Sequence, residues 1–124
     1  MRVASFIVGV VVASVSASAA LAAPQHLSDV QYIEANRCLG LMTSKALASP
    51  DAGALRSYVD REGWSRVPAA LDQADEARET AQSVADRSSG YTRMQLQAER
   101  DGVCRSFLAS TTAAASQSTR SSLQ

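Results

Sequence analysis

The side chains that could do chemistry are few. They are Cys38 and Cys104, one histidine at position 26, a run of carboxylates at Asp72, Asp75, Glu76 and Glu79, and the segment Arg61-Glu62-Gly63-Trp64-Ser65-Arg66. Two cysteines in one chain read as a disulfide, a redox pair or part of a metal site. Cys38 and Cys104 lie far apart in the sequence, form no C-x-x-C and have no neighbouring histidine. A structural disulfide is therefore expected, and no metal site.

His26 would be the base or ligand in histidine chemistry. It stands before the first helical pattern, where chains fray. Histidine-dependent triads then lack their base, and no catalytic residues are assigned. The carboxylates of 72–79 could run glycoside hydrolysis or hold a hard cation. They also share the flank opposite an alanine seam, and a solvated helix face is the plainer explanation. Met42 and Met94 with the cysteines could suggest copper, but three methionines in all, one of them the initiator, fit core packing better. No cofactor is expected. Arg61, Trp64 and Arg66 are the candidate partner-binding residues, since tryptophan and arginine dominate interface hot spots. The plainer reading makes Gly63 a left-handed helix stop and folds Trp64 back on Val59. Glu34 and Arg100 fall within the apolar arcs of their helices, either at the edges or partly buried with partners.

The elements that position these residues are helical. Met1–Ala22 has a positive start at Arg2, an apolar stretch and an Ala20-Leu21-Ala22 ending, the form of a cleaved signal peptide. The same stretch is long enough to serve as an uncleaved anchor, but serines dilute its second half. Export would deliver both cysteines to an oxidising compartment, so the protein is expected to be periplasmic or secreted. Lysines plus arginines equal aspartates plus glutamates at 12 each. Losing Arg2 leaves no basic excess, which argues against nucleic acid as a partner. The remainder, 23–109, makes one small domain with few aromatics and a thin core.

Ser28-x-x-Gln31 is a capping box that opens a first helix running to about Ala48, with Leu27 placed to staple onto Tyr32. Gly40 inside it predicts a close crossing by another helix. Ser49-Pro50-Asp51 starts a second helix. The third runs from Pro68 to Arg87 with the seam Val67, Ala70, Ala74, Ala77, Ala81, Val84. Thr92-x-x-Gln95, with Tyr91 stapled on Leu96, opens a fourth that ends near Ala109 and turns Val103, Cys104, Phe107 and Leu108 inward. Residues 110–124 are rich in Ser, Thr and Ala and are expected to be disordered. The expected fold is all-α: a small antiparallel four-helix bundle with one disulfide, its first and last helices adjacent.

This layout of leader, small helical domain and single disulfide resembles acid-stress periplasmic chaperones and periplasmic immunity proteins in architecture only. The expected function is a non-enzymatic binding or accessory protein of the bacterial envelope, with a protein partner and no membrane contact after cleavage. A stress-activated chaperone or an immunity-type inhibitor is the alternative.

Overall fold

The computed structural model describes residues 26–124, and the expected leader at 1–22 lies outside them. Five helices follow one another: α1 (Asp29–Thr43), α2 (Ala52–Gly63), α3 (Pro68–Arg87), α4 (Gly90–Asp101) and α5 (Val103–Ser122). Among the described residues there is no strand, and no helix is long and apolar enough to cross a membrane. The chain is an all-α bundle with one disulfide, Cys38–Cys104, Cα to Cα 5.4 Å.

The start of α1 follows its capping box. Ser28 Oγ accepts from the Gln31 amide at 3.2 Å, and Gln31 Oε1 accepts from the Ser28 amide at 2.9 Å. The helix stops at Thr43, several residues before Ala48. Ser44 takes an extended backbone, donates its hydroxyl to the Leu41 carbonyl at 2.7 Å and accepts from the Leu47 amide at 3.1 Å. A serine hydroxyl that serves the backbone locally competes with helix continuation, and no Gly or Pro marks the spot.

α1 is the central rod. Its buried residues include Tyr32, Ala35, Cys38, Leu39, Leu41 and Met42, which spread around the whole helix, because it contacts every other helix. α2 returns antiparallel, with Glu62 near its end against Leu27 at the start of α1. α3 instead runs parallel to α1 in direct contact. Gly40 lies on Arg78 and Ala81, Thr43 meets Gln82, and Lys45 meets Asp86, so both chains advance together. The close crossing expected from Gly40 is there: a Cβ on it would stand 2.2 Å from the Arg78 carbonyl oxygen.

The alanine seam of α3 is buried at Ala70, Ala74, Ala81 and Ala85. Val67 and Val84, expected at its ends, are 59% and 39% exposed. An undistorted helix advances 3.6 residues per turn, so a 3.5-residue stripe drifts off the contact and Ala85 replaces Val84.

The expected fourth rod is two helices, broken at Gly102, whose amide donates to the Ala98 carbonyl at 2.8 Å. α4 starts at Gly90, so Thr92 and Gln95 lie within it and form no cap. Tyr91 and Met94 are 72% and 65% exposed. The expected staple and the expected core role of Met94 are therefore corrected: Tyr91 is already helical and lies five residues from Leu96, off its face, and Met94 is turned to solvent. Val103 is also half exposed, whereas Cys104 and Phe107 are buried.

Residues 110–122, expected to be disordered, continue α5. Alanine has the highest helix propensity, no Gly or Pro interrupts the stretch, and Ser110, Ser116 and Thr119 hydroxyls donate to carbonyls four residues back. None of this stretch is buried. Deleting 110–124 is therefore expected to leave the thermal midpoint within about 2 °C of the full chain, measured by circular dichroism, because surface changes stay within ~0.5 kcal/mol. Gly40→Ala should do the opposite. Propensity favours alanine by ~1 kcal/mol, but the new methyl meets backbone that cannot swing away, and overpacking costs about 1–3 kcal/mol. Urea denaturation should show a net loss; an unchanged or raised midpoint would mean that α3 is not in contact there.

Candidate surface at the α2–α3 corner

The corner grows from the end of α2. Gly63 keeps a right-handed backbone, since Gly90 is the only described residue with positive φ. Trp64 follows in the same region of backbone space, φ −59° and ψ −27°. The left-handed stop that would turn Trp64 back onto Val59 does not form, and Trp64 is 90% exposed. Gly63 packs against Tyr32, where an added Cβ would come within 2.8 Å of the phenol oxygen.

Beneath the tryptophan sits a clasp built on Arg66, whose side chain is only 9% exposed. Its Nη1 donates to Asp29 Oδ1 at 2.8 Å, its Nη2 to Glu62 Oε2 at 3.1 Å and its Nε to the Glu62 carbonyl at 3.2 Å. Nη2 also donates to the Leu27 carbonyl. The guanidinium carbon lies 5.0 Å from the Tyr32 ring centre, a cation–π placement. Glu62 accepts from the Leu27 amide at 3.0 Å and meets His26 Nδ1 at 3.2 Å. One arginine thus ties the entry of α1 to the α2–α3 turn.

The three partner-binding candidates separate. Trp64 and Arg61 face solvent, and Arg61 makes no ion pair among the described residues. Arg66 is turned inward and acts as a brace. Val67, 59% exposed, comes three residues after Trp64, and Val30, 75% exposed, follows the Asp29 that Arg66 grips. The exposed apolar groups at this end of the molecule are therefore carried on a fixed backbone.

The other candidates are dispersed. Asp72, Asp75, Glu76 and Glu79 are exposed along α3, with Arg78 paired to Asp75 at 2.6 Å. Among the described residues no three His, Cys, Asp or Glu side chains converge as a metal site. A shallow groove of about 320 Å³ along α3 is lined by Glu79, Gln82, Ser83, Asp86 and Arg87. Asp86 there accepts from the Lys45 amide at 2.6 Å and so closes the turn after α1. Met42 is buried and Glu34 exposed. Arg100 is partly buried and donates to the Leu47 carbonyl at 3.1 Å. Cys38 and Cys104 are fully buried in their disulfide.

Two tethers escaped the sequence reading. Glu62 with Arg66 has the acid-before-base i,i+4 spacing of a helical ion pair, a signal that was present. Arg37 with Glu99 has none, since 62 residues separate them. The Glu99 carboxylate takes Arg37 Nε at 2.6 Å and Nη2 at 3.0 Å. That hydrogen bonding holds the guanidinium above its ordinary pKa against the opposing effect of burial. At Tyr58, by contrast, burial itself pushes the phenol up. No known protein family, curated protein or solved structure matches the chain.

Arg66→Ala is expected to lower stability by about 3 kcal/mol, because it strands Glu62, 11% exposed, without its counter-charge. Trp64→Ala should change stability by less than ~0.5 kcal/mol. Parallel denaturation curves check both, and equal losses would mean that the tryptophan packs on the protein.

Proposed function

We propose that this chain is an exported, non-enzymatic binding or accessory protein of the bacterial envelope that meets a protein partner through Trp64. The observation that carries the reading is the tryptophan's 90% exposure on a turn braced by Arg66. An indole left in water is unfavourable by the usual transfer of apolar area, and tryptophan is the side chain most enriched in binding hot spots. A contact residue on a rigid backbone loses little further freedom on binding. Arg61, exposed and unpaired among the described residues, adds a free cation at the rim. Export is supported by the form of Met1–Ala22 in the sequence and by the disulfide, a bond that persists in oxidising compartments.

The test is capture from an envelope extract by the immobilised mature chain. Trp64→Ala should reduce recovery of the bound protein at least about tenfold, as expected for a hot-spot truncation, with the helical signal unchanged. Tyr91→Ala, an exposed aromatic on α4, should leave it unaltered. Equal recovery by wild type and Trp64→Ala would remove the corner from the reading.

A further inference from the structure

Independently of the Trp64 corner, we propose that α4 is a hinged segment on the side of α1, able to leave α1 and unwind ahead of the core while α5 stays pinned in place. Burial gives the first argument. α4 has twelve residues and buries only Leu96, whereas α1 has fifteen and buries eight. A helix of this length is marginal without tertiary packing, so what holds it is decisive.

What holds it is mostly polar. Arg37 on α1 grips Glu99 with two hydrogen bonds, and Arg100 donates to the Leu47 carbonyl at the turn after α1. The Arg37–Glu99 pair is not sealed: its side chains are 40% and 28% exposed. Water can take over both partners when the segment leaves, so separation lacks the penalty of stranding buried charge.

Both ends of α4 are built to bend. At the start, Gly90 has φ 53° with open space where a Cβ would be, Ser89 supplies no side-chain cap, and the joint is spanned by one side-chain tie, Arg93 Nη2 donating to the Ser88 carbonyl. At the end, Gly102 interrupts the helical path with φ −101° and ψ −92°. Two residues beyond that break, Cys104 is bonded to Cys38, and Phe107 is buried one turn later. The segment therefore has a flexible joint on each side and a covalent stop immediately past the second. Low-stability units of this kind open sub-globally, ahead of the core. Opening would uncover Leu96, now buried, and release the Leu47 carbonyl from Arg100, beside α1.

Hydrogen exchange followed by mass spectrometry on the full oxidised chain tests this. In the wild type, amides of 94–101 should exchange at least about tenfold faster than those of α1 and of 106–109, as expected for opening below the global unfolding energy. Glu99→Gln should speed 94–101 by about a further fivefold, the effect of losing a tie of ordinary ion-pair strength, and leave α1 and α3 unchanged. Arg37→Gln should do the same from the other side. Exchange of α4 in step with α1 would overturn the proposal. So would variants that accelerate all helices together, or that leave 94–101 unaffected.

Discussion

The approach of α1 to the backbone of α3 at Gly40 is the constraint on which the other contacts depend. The glycine has no side chain to hold the two apart, and a methyl there would overlap the Arg78 carbonyl. Only small side chains on α3 suit so short a distance, and the buried face of α3 is alanine throughout. Short side chains remove little area from water, so the contact contributes little per residue. The large apolar groups, Leu39, Leu41, Met42, Leu55 and Val59, come instead from α1 and α2. With α1 surrounded, the remaining chain can only wrap around it, and the Cys38–Cys104 link fixes the last helix to that centre. Closing a loop across 66 residues supplies about 4 kcal/mol in the chain-entropy view, a large share for a domain this size.

The same economy of apolar volume explains why polar clasps matter. Arg66 joins the α1 entry to the α2–α3 turn, Asp86 closes the turn after α1, and Arg37 with Glu99 ties α4 down. Among the described residues no buried side-chain nitrogen or oxygen lacks a hydrogen-bond partner, so these clasps bring no desolvated orphan. Where a clasp is buried, as at Arg66, it makes a rigid platform and leaves Trp64 standing free. Where it is open to water, as at Glu99, it makes a releasable tie. The proposed binding surface and the proposed hinged segment are two outcomes of one way of holding helices together.

The legible parts of the sequence were those decided by backbone chemistry over a few residues. The Ser28 capping box, Pro68 at the first position of α3, the tight crossing at Gly40 and the cysteine pair all depend on such rules. The misread parts depended on distant partners or on a choice between two local options. Nothing near Arg66 announces that Asp29 and Leu27 will claim its guanidinium from 37 and 39 residues away. Gly63 could have turned left-handed, and Tyr32 and Leu71 pressing close beside it are invisible in a local pattern. The break at Gly102 is not anticipated, because the apolar spacing from Leu96 to Phe107 reads as one continuous helix. The scarcity of large apolar side chains in 110–122 reads as disorder; alanine keeps the stretch helical although none of it is buried.

The most direct measurement is a proton nuclear Overhauser spectrum of the oxidised chain. A glycine Cβ would lie 3.1 Å from the Ala81 methyl, so a strong cross-peak between the Gly40 α-protons and that methyl is expected. Its absence, with α1 and α3 both helical, would mean that the two rods do not meet and that the wrapping of the chain around α1 has another cause.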